Sequence, residues 1–353
     1  MKIWMKIVTM TCVIVSAMLL TQQLATGSEN VGVREIKSPS RERGADLEVT
    51  VWYPSDSGGK PTMLGESVFF VGTPASLDAP ISDGKFPLVL LSHGAGLAGN
   101  AQALSWIAAP LAKQGFIVAA PTHPGNTGAK RSAKETMKLW LRPADISETL
   151  NAISKEDHFK EHLEPNRTGI LGLSMGGNTA LAIAGARIDP ERLAKYCDID
   201  SLNPSLCQWV RQSGVDLHAM DLGLAGRDNE DPRITFAMAI DPAPVDVFKF
   251  NSFSRISIAF DLVNLGRSGK IPLTTQAREI GDAIPLATYS MIEDASHYTM
   301  FAECKPGAAE IAESENVGDP ICSDGGGRAR KEIHSQIIGM VVAAFIRELR
   351  PSR

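Results

Sequence analysis

Residues 167–177, Arg-Thr-Gly-Ile-Leu-Gly-Leu-Ser-Met-Gly-Gly, constrain the fold of this chain more tightly than any other stretch. They hold the pattern G-x-S-x-G at 172–176, with Ser174 at its centre. The apolar run Gly169-Ile170-Leu171 before it has the length and character of a buried strand. The Ala- and Leu-rich residues 178–186 after it read as a helix. A serine on so tight a strand-to-helix turn takes up strained backbone angles. Glycines two residues to either side leave room for the turn and for packing against a sheet. The turn lifts the Ser174 hydroxyl clear of the sheet and sets the Met175 N–H at a helix N-terminus, where a negative oxygen is favoured.

The flanking chain supplies the sheet that such a turn needs. Residues 46–53 alternate polar and apolar before Pro54, as a half-exposed strand does. Residues 86–92 are continuously apolar, the mark of a central strand buried on both faces, and run into His93-Gly94-Ala95-Gly96. A helix over 101–114, a strand over 116–120, the loop 121–126 and a helix over 133–154 follow, with Pro143 expected to kink or divide that helix. Further strands read at 234–240, ending at Asp241, at 256–260, ending at Asp261, and at 286–292, followed closely by His297. Residues 272–283 and 331–349 read as helices, 28–44 as a loose lead-in, and 55–85 and 304–327 as loops. Residues 188–232 are polar and weakly helical and read as an insertion over the rim, a lid. Alternation of this kind predicts an α/β fold with a mostly parallel, doubly wound sheet in one domain, 28–353. Ligands of such sheets sit beyond the carboxyl ends of the strands, so the loops at 93–96 and 121–126 and the Ser174 turn should converge on one rim.

Residues 1–27 lie outside that domain. Two lysines within 1–6, an apolar run over 7–20 and small polar residues over 21–27 have the layout of a secretory signal peptide cleaved before Ser28. The run is short for a membrane span, so the expected location is periplasmic or secreted, with no stable span after cleavage. Removing it discards Cys12 and leaves Cys197, Cys207, Cys304 and Cys322, an even count that reads as two disulfides in an exported protein. Of three connectivities, Cys197–Cys207 and Cys304–Cys322 are favoured because each closes a short loop rich in turn-forming residues. No Cys/His spacing suits a metal. A net charge of −5, with no Lys- or Arg-rich run, argues against a nucleic-acid surface.

A serine hydroxyl is a poor nucleophile until an oriented base takes its proton. Of the seven histidines, His158, His162 and His334 sit among charged helical residues and are expected to be exposed, and His218 lies in the insertion. His93 and His123 stand on rim loops, where they would line the site or hold loops together. His297 follows the last strand, downstream of the other core elements, and is the expected base. An oxyanion hole needs two convergent N–H groups; Met175 offers one, and Ala95, between Gly94 and Gly96 at a neighbouring strand end, offers the other.

Ser-His-Gly-Ala-Gly at 92–96, Ala-Pro-Thr-His-Pro-Gly-Asn at 120–126, Gly-Leu-Ser-Met-Gly-Gly at 172–177 and the late His297 together resemble the serine α/β-hydrolases. More closely, they resemble bacterial predicted dienelactone hydrolases related to platelet-activating-factor acetylhydrolases. True dienelactone hydrolases carry cysteine at the nucleophile position, where this chain has Ser174. The resemblance implies an α/β-hydrolase fold, hydrolysis of a small carboxylic ester through an acyl-enzyme, no cofactor or metal, and Ala95 as an oxyanion donor. Many α/β-hydrolases place the triad acid where Asp261 stands, whereas the acetylhydrolases place it one strand earlier, which favours Asp241. Lactone or amide hydrolysis and acyl transfer would use the same residues, and a catalytically dead hydrolase fold would serve as a binding module. No long apolar stripe crosses 188–232, so short acyl groups are expected.

Overall fold

A computed structural model describes residues 30–126 and 131–350. The signal-peptide reading of 1–27 lies outside the described residues. Among the described residues, ten strands form one sheet: β1 (Asn30–Ser40), β2 (Ala45–Ser55), β3 (Lys60–Leu64), β4 (Thr73–Leu77), β5 (Phe86–Ser92), β6 (Ile117–Pro121), β7 (Leu163–Leu173), β8 (Phe236–Ile240), β9 (Ala259–Leu265) and β10 (Ala287–Ile292). Their order is β10-β9-β8-β7-β5-β6-β2-β1-β4-β3. The six strands from β10 to β6 are mutually parallel, and β2 joins them antiparallel.

The apolar run of β5 is explained by burial on both faces. Leu88 and Leu90 enter one apolar layer and Val89 and Leu91 the other. Helices α3 (Arg142–Ile153) and α4 (Met175–Ile183) cover the first face; α1 (Ser105–Lys113) and α9 (Arg330–Leu349) cover the second. The expected helix over 133–154 is divided into α2 (Ala133–Thr136), a short 3₁₀ turn and α3, with Pro143 in the first turn of α3, where its missing N–H costs nothing. None of the helices among the described residues is long and apolar enough to cross a membrane.

Several segments differ from the sequence reading. Residues 30–40 are not a loose lead-in but strand β1, paired along its whole length with β2. Their alternation was disguised because two of the inward residues, Ser38 and Ser40, are polar. The helix expected over 272–283 is a 3₁₀ turn (Leu273–Thr275) followed by the short α7 (Arg278–Ala283), the connection 55–85 carries β3 and β4, and 304–327 carries α8 (Ala308–Ser314). The strand expected over 256–260 lies further on, at Ala259–Leu265, so Asp261 sits inside it rather than at its end.

Residues 188–232 contain α5 (Pro190–Ala194) and α6 (Pro204–Gln212), capped by the side chains of Asp189 and Asn203. The segment is pinned by Leu193, Tyr196, Cys207, Val210 and Leu217 in the core layer beneath α4 and by the Cys197–Cys207 disulfide. A second disulfide joins Cys304 to Cys322.

The two bonds close loops of sequence separation 10 and 18. Chain entropy values such closures at about 3 kcal/mol each. Protein recovered from an oxidising compartment should present no alkylatable thiol by mass spectrometry. Cys197→Ala/Cys207→Ala should lower the unfolding free energy by about that amount. Four free thiols, or an unchanged unfolding midpoint, would refute the expectation.

Candidate active site

The strand register sets the site. Ser92 lies level with Gly172, Leu173 with Ile240, Ile240 with Val263, and Leu265 with Ile292, so the carboxyl ends of β5, β7, β8, β9 and β10 form one rim. Ser174 follows β7 and caps α4 with φ 53° and ψ −120°, a left-handed conformation that L side chains rarely adopt. It is held there by its N–H to the Ile240 carbonyl (3.0 Å) and by the Ala243 N–H to its own carbonyl (2.9 Å). The flanking glycines are required by close approach: a Cβ on Gly172 would collide with the Gly176 carbonyl, and one on Gly176 with the Ser92 carbonyl.

A single hydrogen-bonded chain runs from this turn. Ser174 Oγ lies 3.1 Å from His297 Nε2, and His297 Nδ1 lies 2.9 Å from Asp241 Oδ2. Asp241 is fully buried, whereas the His297 side chain is 22% exposed. The other oxygen of Asp241 accepts from Leu265 N–H (2.8 Å) and from Asn264 Nδ2 (2.7 Å). A carboxylate held by two donors on one oxygen leaves the second to fix an imidazole tautomer with Nδ1–H towards it and Nε2 free to accept. That arrangement can take the proton of Ser174.

Asn264 is the residue that sequence reasoning passed over. It is fully buried at the end of β9, and its amide also donates to Thr275 O, while its oxygen accepts from Ala277 N and Tyr289 Oη. A polar residue inside the apolar run Leu262-Val263-Asn264-Leu265 was the available signal.

Asp261, the alternative acid, is corrected by its place. It lies within β9, two residues before Val263, and bonds Thr288 Oγ1 (2.6 Å) and Arg347 of α9 (2.9 Å), away from His297.

Of the residues expected to line the site, Gly94 does: a Cβ there would rest 3.2 Å from that of Ser174. Gly96 takes a positive φ of 65° in the open turn after Ala95. The side chains of His93 and His123 do not line it. Both are buried beneath the loop, facing each other 4.9 Å apart, because their rings find partners below the rim. Among the described residues, neither the Ala95 nor the Met175 N–H is taken by another acceptor.

The loop bearing His297 is anchored from the side. Trp106 Nε1 of α1 donates to Met300 O, and His334 Nε2 of α9 donates to Thr299 O (2.7 Å) while its ring stacks on Trp106 at 3.8 Å. His334 is therefore buried, not exposed as expected; its neighbours Lys331 and Glu332 are exposed, while Arg330, one turn earlier, is buried with it. Burial pushes its pKa down to about 4, against the raising effect of the Thr299 hydrogen bond.

Fold and rim together define an α/β-hydrolase architecture. Residues 61–141 match the family "Platelet-activating factor acetylhydrolase, isoform II". The match spans β3 to the 3₁₀ turn before α3 and includes Ala95. The chain thus has the expected resemblance to esterases of the platelet-activating-factor acetylhydrolase type. Among solved structures, it is similar to a ferulic acid esterase from Streptomyces cinnamoneus, with a TM-score of 0.56 and 17% identity over 92% of this chain and 91% of that one. At that identity the likeness speaks for the fold. No curated protein sequence matches the chain.

Two outcomes are expected from this geometry. Asp241→Asn should fold yet lose about 10⁴-fold in kcat, the scale of a mis-set histidine tautomer. Asp261→Asn should keep near-normal turnover of the same ester; the reverse result would return the acid to β9. His334 is depressed in the folded state, so its contribution to stability is complete above the unfolded pKa of about 6.5. It should be lost on the order of 3 kcal/mol as pH falls to about 4. Denaturant unfolding at pH 7 and 4.5 should show a smaller acid loss in His334→Gln than in the parent; equal losses would assign the acid sensitivity elsewhere.

Proposed function

We propose that the protein is an exported serine hydrolase that cleaves small carboxylic esters through an acyl-enzyme. The observation that carries this reading is the Ser174–His297–Asp241 hydrogen-bonded chain at the rim beside two unengaged N–H groups. In it, Ser174 Oγ attacks the acyl carbon while His297 Nε2 takes the hydroxyl proton. Asp241 holds the imidazole and balances its positive charge. The Ala95 and Met175 N–H groups receive the oxygen as it becomes negative. His297 then passes its proton to the departing alcohol, and water repeats the sequence to release the acid. The family similarity over 61–141 supports ester hydrolysis, and the solved structure of similar fold is itself that of an esterase.

A cavity of about 530 Å³ lined by Leu97, Thr122, Phe70, Phe301, Glu35 and Glu48 opens past the oxyanion loop, and none of Ser174, His297, Ala95 or Met175 lines it. We read 188–232 as a cover for the neighbouring side of the rim. In support, Tyr196 bonds Thr274 in the loop after β9 (2.6 Å) and Arg131, just past the loop 121–126, stacks over Trp209 (4.5 Å). Export is supported by the signal-like residues 1–27 and by the two disulfides.

A fluorophosphonate probe should label the purified protein and should fail to label Ser174→Ala. Across p-nitrophenyl esters from acetyl to palmitoyl, short chains should be turned over fastest. Absence of labelling would sink the enzyme reading, and unchanged turnover in His297→Ala would remove His297 as the base.

A further inference from the structure

Five buried polar side chains lie beneath the loop that carries Ala95, and the mechanism above uses none of them: Ser92, His93, His123, Arg142 and Asp145. Asp145 is gripped by Arg43, with Nη2 at 2.7 Å, and accepts from His123 Nδ1 at 2.8 Å. His123 Nε2 faces Ser92 Oγ at 3.0 Å. The order Ser, His, Asp is thus repeated, but wholly inside the protein, where no reactant reaches it. The His123 N–H, in turn, donates to His93 Nε2 at 2.9 Å.

That last bond decides the state of His93. A ring nitrogen that accepts carries no proton, so the proton of the neutral ring sits on Nδ1, which lies 2.7 Å from Gly94 O. The Gly94–Ala95 peptide is trans and planar, so its C=O and N–H point in opposite directions along one rigid unit. Holding the carbonyl from below aims the N–H above. A peptide whose oxygen accepts a hydrogen bond also has a more polarised N–H.

We propose that His93, as its neutral Nδ1–H tautomer, is the positioning residue of the oxyanion hole: by holding the Gly94 carbonyl it directs the Ala95 N–H at the oxygen that becomes negative. This rests on Ala95 being an oxyanion donor, as proposed above. Arg142 completes the support. Its guanidinium donates through Nη2 to the His93 carbonyl and through Nε to Thr179 Oγ1 (2.9 Å). Thr179 in turn bonds the carbonyl of Met175, the other donor residue, at 3.1 Å. One buried cation therefore ties the backbone at His93, two residues before Ala95, to that of Met175 through Thr179. Burial, reinforced by His123 and Arg142, holds the pKa of His93 well below the ordinary histidine value, so the ring stays neutral. Burial likewise lowers Arg142 to about 9, with Asp145 opposing.

Two substitutions separate aiming from mere support. In His93→Asn the amide reaches the Nδ1 position and can still donate to Gly94 O, but nothing accepts from His123. In His93→Gln the amide oxygen reaches the Nε2 position and keeps the His123 bond, while Gly94 O loses its donor. With active sites counted by fluorophosphonate titration, His93→Gln should lose ~10- to 100-fold in kcat on p-nitrophenyl acetate, with KM changed by less than about twofold. It should bind an aryl trifluoromethyl ketone, which forms an oxyanion on Ser174, weaker by a similar factor. His93→Asn should keep most of both. Equal losses in the two variants that track their thermal stabilities, or full kcat in His93→Gln, would overturn the proposal. A test without substitution is ¹⁵N-histidine NMR of the unaltered protein. A His93 resonance of the Nδ1–H form is expected, and an Nε2–H or doubly protonated ring would overturn it. Failure of the unaltered protein to react with fluorophosphonate would instead remove the ester-hydrolase reading, while the NMR result still decides the tautomer.

Discussion

The rim depends on how closely two backbones approach at Gly176. With no Cβ there, the first turn of α4 packs directly on the carbonyl end of β5, and a methyl group would strike the Ser92 carbonyl. Gly172 allows the matching approach from the strand side. This contact sets Gly94 so near the serine that a Cβ on it would lie 3.2 Å from that of Ser174. The strained Ser174 backbone, on the order of 1–3 kcal/mol of local cost, is held by hydrogen bonds to β8 and to the loop after it. Asp241, at that same strand end, also has positive φ, 45°, and its side chain reaches His297 from there. Two strained residues at adjacent strand ends are thus tied to each other through the Ser174 N–H bond to Ile240 O.

Much of this architecture could be read from the chain because the signals are local. The run 86–92 is apolar at every position since alternate residues feed opposite core layers, and that leaves a plain mark in the sequence. The Ser174 turn and the late His297 are equally local. What escaped reading depends on partners distant in sequence. His334 stands beside Lys331 and Glu332 and looks solvated, but the face it occupies is set by Trp106, more than two hundred positions earlier. Asp261 looked like the stop of a strand since acidic residues often end apolar runs; its charge is instead met by Arg347 at the far end of α9. Asn264 could be recognised as polar, but its duty to Asp241 exists once β8 and β9 pair.

The buried Ser92–His123–Asp145 chain shows what the connectivity of a triad does not by itself confer. Its distances are close to those of Ser174–His297–Asp241, and its acid is equally buried. The difference lies in environment. The His123 side chain is fully buried and its pKa is driven far down by burial, then by Arg142 and Arg43. The His297 side chain, by contrast, is partly exposed at the rim. Hydrogen-bonded order inside the protein gives rigidity, and the same order at a strand end is what the proposed proton path would use.

The three arms of the site stand on separate supports. Close backbone packing holds Ser174, buried charge and neutral histidines hold the Ala95 loop, and Trp106, His334 and the Cys304–Cys322 loop hold the segment of His297. The last of these is linked to the rim through Ser296 Oγ, which donates to Ser323 O beside Cys322, and through Arg330, which donates to Ala302 O and Ile321 O. A small error in any arm would open a hydrogen bond of about 3 Å, and transition-state interactions weaken steeply with such displacement. The burial of Arg142 and Asp145 makes sense in these terms. A charged network inside a core is weak evidence of stability, since apolar replacements are often as stable. Its recurrent use is to hold one arrangement against nearby alternatives, and under the proposal above that arrangement is a Gly94–Ala95 peptide with its N–H, rather than its carbonyl, towards the oxygen that becomes negative.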